Sequence, residues 1–339
     1  MKKATLRQPA ESKLSVVIPA YNAEKWIGPT LEHLWASLKN TKWRAIEILV
    51  FDDGSTDGTS EAAAKTKLGV PVKVIKQPNS GRLKTRRNAI NKALGDYVFM
   101  LDSRVYTKAN SFEYLVKQMA TNPEAIVWNG HIDVERQGNS FARFWHTVTF
   151  IAWRRYYKKP RLVHYGPADF DYYPKGAGCF FAPRQYLLDA YSKFNTYYKD
   201  DKNANDDTSL IRQIASMSDI YISPGFAFTY NSRSTWQAFL KHTLHRGVVL
   251  MDGYFRPGTR YFVPIIAYLA AVPLAIVSII LFPELLLLII PILAVAFITP
   301  KLLGASVEDA AAFAYILPVF SIYYTIGLYK GLFLKLANH

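Results

Sequence analysis

The chain has 339 residues, of which 50% are hydrophobic, and a formal net charge of +15 at neutral pH. A single cysteine, Cys179, excludes an intrachain disulfide, and the polar segment after residues 1–3 indicates that no secretory signal is present. Because the most apolar stretches all follow Arg260, the cationic excess favours an anionic membrane surface and phosphate-bearing ligands over nucleic acid.

Short apolar strands alternate with helices along the first hundred residues. The pattern predicts strands over residues 14–19, 43–51, 72–76 and 97–101. Between them it predicts helices over residues 24–38, 58–67 and 82–94. This β-α-β-α order indicates an α/β fold built on a doubly wound, parallel sheet.

The most informative stretch is residues 48–58, where four apolar residues lead into two adjacent carboxylates and a Gly/Ser/Thr turn. A buried parallel strand would deliver Asp52 and Asp53 to the carboxyl edge of the sheet, where open α/β folds bind ligands. Paired acids there suit a ribose diol or the polar edge of a base. The alternative is that this run only starts a helix, with Thr56 or Asp57 as the N-cap.

Polar side chains also follow the other predicted strands. Tyr21 and Asn22, Asn79, and Asp102 each come directly after a strand or its turn, so we expect them to converge on one crevice. The next helix carries four cations near its N-terminus, which suits a diphosphate; they are Arg82, Lys84, Arg86 and Arg87. The alternative is a solvated charged face, and only one or two of these cations should reach a ligand.

Three apolar blocks occupy the last part of the chain. Residues 262–282 carry no charge and are long enough for a tilted membrane-spanning helix. Residues 285–299 form a shorter block, and residues 310–334 form a third that contains Lys330. The alternative is three buried helices of a large soluble core.

Basic residues around these blocks give a partial prediction of sidedness. Arg256 and Arg260 place the globular part on the cytoplasmic side by the positive-inside rule, and Lys301 agrees. Lys330 and Lys335 disagree if all three blocks cross. The number of spans, two or three, therefore stays open.

The order of the motifs resembles that of family 2 glycosyltransferases with the GT-A fold, over about residues 13–255. The matching segments are residues 17–22, 52–58, 87–89, 101–102 and 206–210. The resemblance implies a Rossmann-like, mixed, mostly parallel sheet followed by transmembrane helices. It also implies transfer of a sugar from a nucleotide-diphosphate donor, with inversion at the anomeric carbon.

The same resemblance assigns roles to individual residues. Asp207 would be the general base, with Asp206 and Arg246 beside it in the catalytic set, although an N-cap role for Asp206 or Asp207 is the alternative. Asp102 would lie near the ribose, the diphosphate and a metal. The donor would be bound by Pro19, Ala20, Tyr21, Asn22, Asp52, Asp53, Asn79, Arg82, Arg87, Asp102, Ser103 and Arg104.

One departure from the family pattern concerns the metal. The family usually has a second Asp two positions after the first, and here Arg104 stands at that position. Arg offers no oxygen ligand, so either Asp102 binds Mg²⁺ or Mn²⁺ together with donor phosphates, or Arg104 supplies part of the positive charge. A plain ion pair between Asp102 and Arg104 is the third interpretation. We expect the divalent ion to be retained.

The second half of the chain is similar to membrane-bound exopolysaccharide glycosyltransferases of the succinoglycan type, on residues 230–234, 242–247 and 322–331. This implies a polyprenyl-phosphate-linked acceptor and a multi-pass protein of the cytoplasmic membrane, with its catalytic domain in the cytoplasm. The expected domains are a tail (1–12), a nucleotide-sugar-binding half (13–140), an acceptor-binding half (141–255) and a membrane domain (256–339). Residues 141–165, rich in aromatic and basic residues, would dock on lipid headgroups.

Two other functions remain open from the sequence. A polyprenyl-monophosphate glycosyl synthase would use the lipid phosphate itself as acceptor and would need no strong base. A catalytically silent membrane scaffold that binds nucleotide sugar is supported only by Arg104. The sequence does not indicate the oligomeric state.

Overall fold

The computed structural model describes residues 8–337 and divides into two compact units. The first unit comprises residues 8–133, 160–195 and 206–231, and the second comprises residues 134–159, 196–205 and 232–337. The aromatic and basic segment of residues 141–165 is thereby shared between the two units.

Strands and helices alternate through the first unit, and helices alone make up nearly all of the second. The strands are β1 (Lys13–Ala20), β2 (Ala45–Asp52), β3 (Val72–Lys76), β4 (Tyr97–Leu101), β5 (Val105–Thr107), β6 (Trp128–Asn129), β7 (His131–Val134), β8 (Val163–Tyr165), β9 (Cys179–Pro183), β10 (Ile220–Ile222) and β11 (Ala227–Tyr230). The helices are α1 (Glu24–Leu38), α2 (Thr59–Lys65), α3 (Arg82–Lys92), α4 (Ser111–Thr121), α5 (Ser140–Ala152), α6 (Arg154–Tyr157), α7 (Arg184–Ser192), α8 (Thr208–Ala215), α9 (Trp236–Tyr254), α10 (Phe262–Leu281), α11 (Ile289–Leu302) and α12 (Val307–Leu336).

The first unit is built on an eight-stranded sheet in the order β3-β2-β1-β4-β9-β6-β10-β8. Strands β3, β2, β1 and β4 are parallel, whereas β9 runs antiparallel to both β4 and β6. A smaller sheet has the order β5-β11-β7. The prediction of a mixed, mostly parallel α/β sheet is confirmed.

The central strands are mainly apolar because helices cover both faces of a parallel sheet. All five residues of β4 are buried, and Val16, Val17 and Ile18 of β1 are fully inaccessible to solvent. The strands predicted over residues 72–76 and 97–101 have those bounds as β3 and β4, whereas β2 begins two residues later than predicted. Most polar groups follow the ends of these strands, and the exceptions include Ser15 of β1, which hydrogen-bonds Glu47 of β2.

The second unit contains the three apolar blocks. Helix α10, the segment Pro283–Leu302 and helix α12 are each long and apolar enough to cross a membrane. The middle segment has 20 residues, longer than the predicted block of residues 285–299. The reason is that a 3-10 turn over Pro283–Leu288 leads directly into α11, which continues through Pro300.

Candidate active site

The carboxyl ends of β3, β2, β1 and β4 lie side by side at one edge of the sheet, because these four strands are parallel neighbours. The predicted polar groups follow these strands there. The structure thus brings the strand-end residues of the sequence analysis to a common edge, as expected for a ligand-binding crevice of an open α/β sheet.

Asp52 holds the turn that follows β2. Its Oδ1 accepts a hydrogen bond from the backbone N of Ser55 at 2.8 Å, and its Oδ2 accepts one from the Ser60 hydroxyl. Burial alone would raise the pKa of Asp52, but the hydrogen bonds from Ser55 and Ser60 outweigh burial and the pKa lies below its ordinary value. Asp52 is therefore an ionised group that stabilises the turn at this edge of the sheet.

Asp53 fixes the loop that leads into α3. Its carboxylate accepts hydrogen bonds from the backbone N atoms of Ser80 and Gly81, both at 2.9 Å, and from Gln77 Nε2 at 2.8 Å. Burial would raise the pKa of Asp53, yet these donors lower it overall. With Asp52 and Asp53 only 4% and 5% exposed, their contact with a donor remains a prediction, whereas their part in building the loops is visible.

The end of β1 is tied to the same turn. Ala20 O, one residue after Pro19, accepts a hydrogen bond from Asp53 N at 2.8 Å. Asn22, with a positive φ of 48°, accepts one from Thr56 N at 2.9 Å. Tyr21 between them is 53% exposed. Asn22 is exposed as well, so this segment presents both side chains to a ligand.

The N-cap of α2 is Gly58, and Asp57 before it binds the first backbone N–H groups of two helices. Its Oδ1 accepts a hydrogen bond from Thr59 N at 3.1 Å, and its Oδ2 accepts one from Glu24 N at 3.2 Å. These are the first residues of α2 and α1, so one carboxylate serves the start of two helices. Asp52 and Asp53 have different partners.

A buried guanidinium joins three carboxylates at the centre of the site. Arg86 of α3, with a side chain only 1% exposed, places Nη2 2.6 Å from Asp102 Oδ1 and Nη1 2.5 Å from Asp206 Oδ2. The same Nη1 lies 3.0 Å from Asp207 Oδ1. Burial would lower the pKa of Arg86, but the three acids raise it well above its ordinary value. Arg86 is therefore a permanent positive charge.

Asp206 is the most deeply buried of the three acids, at 1% exposed. Burial raises its pKa, and the opposing attraction of Arg82 and Arg86 does not cancel this effect. Arg82 Nη2 lies 3.3 Å from Asp206 Oδ1, while the Arg82 side chain is 45% exposed. Arg82 thus connects the buried acid to the open edge of the site.

Asp207 occupies the N-cap position of α8, but its side chain makes no capping hydrogen bond. Its Oδ1 instead accepts hydrogen bonds from Arg86 and from Ala177 N, the latter at 3.1 Å. The N-cap interpretation of the Asp207 side chain is therefore wrong. The carboxylate points to the cluster, and 22% of it is exposed.

The small residues before β9 allow this arrangement. Asp102 N donates a hydrogen bond to Gly178 O at 2.8 Å, and a Cβ at Gly178 would lie 2.9 Å from Asp102 Oδ2. Gly178 thus allows the Asp102 carboxylate to lie against the backbone before β9.

The other residues predicted to bind the nucleotide-sugar donor are more dispersed. The Arg104 guanidinium lies 5.0 Å from the centre of the Trp26 ring, and Ser103 O accepts a hydrogen bond from Thr30 at 2.8 Å. Of the remaining two residues, Arg87 lies on α3 and is half-buried. Asn79 lies before α3, and a Cβ at Gly54 would lie 2.8 Å from its backbone N. Their contact with a donor stays a prediction.

Arg246 belongs to the second unit. It lies on α9, with its guanidinium 6.0 Å from the centre of the Trp145 ring. Its catalytic role likewise stays a prediction.

The sequence pattern alone does not distinguish Arg86 from the neighbouring cations of α3. The spacing contained a usable signal, because Arg82 and Arg86 are four apart and so lie on one face of α3. Both contact Asp206, whereas Arg87 lies on another face. Two of the three acids that pair with Arg86 are more than one hundred residues away in the chain. No local sequence pattern indicates such a pairing.

The carboxylates of the site include one candidate ligand for a metal ion. Among residues 8–337 no group of three or more His, Cys, Asp or Glu side chains is arranged to hold an ion. Asp102 has one oxygen engaged by Arg86 and a side chain that is 31% exposed. These residues fit an ion that Asp102 holds together with phosphate oxygens of a ligand, because Mg²⁺ is commonly bound by one or two carboxylates plus substrate phosphates.

Comparisons with known proteins agree with this geometry. The family model described as "Glycosyl transferase family 2" matches residues 15–187, just over half of the chain. "Glycosyltransferase GlyG" of Streptococcus pneumoniae serotype 4 is 32% identical over 130 residues, covering 38% of this chain and 42% of the relative. "Dolichyl-phosphate beta-glucosyltransferase ALG5A" of Trichomonas vaginalis is 34% identical over 133 residues, covering 36% and 41%. The matches thus span less than half of these relatives.

Among solved structures, the mannosyltransferase PcManGT from Pyrobaculum calidifontis, in complex with GDP-Man and Mn²⁺, has a TM-score of 0.55. The likeness covers 99% of this chain and 90% of that one, at 16% sequence identity. At this identity the likeness concerns the fold, and it confirms the predicted GT-A-like architecture.

Replacement of Asp53 tests its part in building the edge. We expect Asp53→Ala to lower the free energy of unfolding by about 1–3 kcal/mol at pH 7, because two part-buried backbone N–H groups lose a charged acceptor. Since the folded pKa is depressed, this contribution is complete above the unfolded pKa and is lost as the pH falls through the folded value. The difference from wild type should therefore shrink below about pH 4.

The measurement is thermal unfolding in detergent at pH 7 and pH 3. Asp219→Ala is the matched control, since Asp219 pairs with His164 at an exposed position and should change stability little. An Asp53→Ala protein as stable as wild type at pH 7 would contradict the assigned role.

Proposed function

Since the chain belongs to glycosyl transferase family 2, we propose that this enzyme is an inverting, membrane-anchored transferase that uses a polyprenyl-phosphate-linked glycan as acceptor at the cytoplasmic face. The donor is a nucleotide-diphosphate sugar. The observation that carries the proposal is the convergence of Asp102, Asp206 and Asp207 on buried Arg86 beside the carboxyl ends of the parallel strands.

The donor side of the proposal rests on the exposed groups of the edge. Tyr21 offers an open ring on which a base can stack, and Arg82 offers a partly exposed cation at the first position of α3. A cation there would offset the charge that develops on the leaving diphosphate. PcManGT, whose structure contains GDP-Man, has a similar fold, which supports a nucleotide sugar as donor.

The acceptor side rests on Asp207. In the proposed step an acceptor hydroxyl oxygen bonds to the anomeric carbon while the bond from that carbon to the diphosphate oxygen breaks. The hydroxyl proton passes to the Asp207 carboxylate, and the bond's electron pair leaves with the nucleotide diphosphate. Hydrogen bonds from Arg86 and Ala177 N hold one oxygen of Asp207 in place.

The proposal includes a divalent ion that binds together with the nucleotide-sugar donor. Asp102 is the residue that would hold Mg²⁺ or Mn²⁺, together with phosphate oxygens and water. Such an ion supplies positive charge that stabilises the leaving diphosphate. Arg104, held over Trp26, is the other candidate for that charge.

The lipid part of the proposal rests on the apolar helices and the basic residues around them. Arg256 and Arg260 precede α10, and excess Lys and Arg marks the cytoplasmic side of membrane proteins. A glycan acceptor carried on a polyprenyl phosphate would meet the enzyme at that surface. The resemblance to succinoglycan-type enzymes supports this acceptor.

A polyprenyl-monophosphate glycosyl synthase is the second candidate, favoured by the similarity to a dolichyl-phosphate glucosyltransferase. There the acceptor is already an anion and needs no base. The two candidates differ in which lipid becomes labelled by a radioactive sugar and in whether turnover depends on Asp207.

Replacement of Asp207 tests the general base. We expect Asp207→Asn to fold and bind the donor nucleotide like wild type, but to lose turnover by ~10²-fold or more. The measurements are sugar transfer to lipid extract and thermal stabilisation by the nucleotide. Asp219→Asn, on the surface of the same unit, serves as the control. Wild-type turnover in Asp207→Asn would remove Asp207 from the mechanism and favour the monophosphate synthase.

Addition of metal with and without nucleotide tests how the ion is held. We expect Mn²⁺ alone to leave the melting temperature unchanged, since Asp102 is the one proposed protein ligand. Mn²⁺ together with a UDP-, GDP- or dTDP-sugar should stabilise the protein more than that nucleotide sugar alone. Turnover and nucleotide binding that EDTA leaves unaffected would contradict the metal and point to the cationic side chains.

A further inference from the structure

The two ends of α12 are held by different segments of the second unit. At its N-terminus, buried Asp309 pairs with Arg136 at 2.7 Å and with Arg143 at 3.0 Å. Just before the helix, Arg154 Nη1 donates a hydrogen bond to Leu303 O at 2.7 Å. This end of α12 is therefore fixed to residues 134–159, a segment rich in charged side chains.

The C-terminal end of α12 is fixed to residues 196–205. A Cβ at Gly331 would lie 2.7 Å from the Tyr198 hydroxyl, which itself donates a hydrogen bond to Val248 O at 2.8 Å. The Lys335 ammonium lies 4.1 Å from the centre of the Tyr197 ring. Both segments that hold α12 are thus stretches of chain between parts of the first unit.

Chain connectivity now restricts the topology. Within residues 8–261 the structure has no helix long and apolar enough to cross a membrane. Residues 134–159 and 196–205 must therefore lie on the same side of any bilayer. Since they contact opposite ends of α12, both ends of this 30-residue helix lie on that side too, and α12 does not cross.

The neighbour of α12 supports this conclusion. Helix α9 runs beside it so closely that a Cβ at Gly247 would overlap Tyr324 O and a Cβ at Gly327 would overlap Leu244 O. Because α9 carries ionisable side chains along its length, a bilayer position for the pair would be costly, at about 2.5–3.5 kcal/mol for each Lys or Arg at the centre. These ionisable residues are Lys241, His242, His245, Arg246 and Asp252.

Helix α12 also has an exposed apolar stripe. Tyr315, Ile322, Ile326 and Phe333 are between 50% and 70% exposed, and their spacing of seven, four and seven places them on one face of the helix. This face of α12 is therefore open to acyl chains, while the opposite side packs on α9.

The remaining apolar segments, the arms α10 and Pro283–Leu302, adjoin the two ends of α12. The first turns of α10 meet the C-terminal part of α12, where the Tyr329 hydroxyl donates a hydrogen bond to Leu269 O at 2.6 Å. The end of α11 leads directly to the N-terminus of α12. Each arm has 20 residues, about 30 Å of helix and enough to cross the hydrocarbon core. Glu284, the one charged residue between Phe262 and Pro300, lies at the turn between the arms.

We infer that the bilayer is crossed twice, by α10 and by Pro283–Leu302, while α12 lies in the interface on the side of the catalytic unit. This topology also removes the conflict among the basic residues. Arg256, Arg260, Lys301, Lys330 and Lys335 all come to one side, in agreement with the positive-inside rule. The inference does not depend on the reaction proposed above.

Single cysteines labelled with a membrane-impermeant maleimide test this topology in the full-length protein. The native Cys179 is 2% exposed and is replaced by Ala to give the background. The labelled positions are Glu284→Cys at the turn, Ala337→Cys after α12 and Lys65→Cys on the surface of α2 as the reference. Labelling is compared between right-side-out spheroplasts and inverted membrane vesicles.

We expect Ala337→Cys to react in the same preparation as Lys65→Cys, and Glu284→Cys to react only in the other. Reaction of Ala337→Cys from the side of Glu284→Cys would mean that α12 crosses, and would overturn the inference. Reaction of Glu284→Cys from the side of Lys65→Cys, or from neither side before detergent is added, would overturn the two spans. Because labelling reports no turnover, either failure is distinct from failure of the proposed reaction.

Discussion

The ion-pair cluster around Arg86 is the interaction on which the candidate site depends. Three acids from two distant parts of the chain would repel one another at the edge of the sheet without a shared cation. Asp206, almost fully buried, would then be a buried charge with only Arg82 to pair it, which is costly. Arg86 therefore allows the strand-end acid Asp102 and the acids before α8 to occupy one small region.

The position of Arg86 is in turn set by the loop before α3. Asp53 binds the backbone at Ser80 and Gly81, which fixes the start of α3, and Arg86 lies one turn further on. Arg86 then orients Asp207, the proposed base. A sequence motif at the end of β2 is thus connected, through the start of α3 and the Arg86–Asp207 contact, to the residue that would accept the proton. Asp53 can be important for turnover through this connection as well as through any contact with the donor.

Much of this could be predicted from the sequence, since strands and strand-end groups are local features. The bounds of β3 and β4, the mixed, mostly parallel sheet and membership of family 2 were all predicted correctly. The sequence did not show that Arg86, among four nearby cations, would be buried between three acids, because the pairing partners Asp206 and Asp207 are 120 and 121 residues away. Nor did hydropathy show which segments of the chain contact the two ends of α12. Hydropathy measures how apolar a helix is, whereas the contacts at its ends decide where it lies.

The most direct test of the central claim is the pH–rate profile of Arg86 variants, with exposed Lys84→Ala on the same helix as control. Arg86→Lys should keep part of the turnover and Arg86→Met should lose at least ~10²-fold, while both remain folded by circular dichroism. The acid limb of the remaining activity should move to higher pH, because the carboxylates have lost their counter-charge. Wild-type turnover with an unchanged pH profile in Arg86→Met would contradict the account.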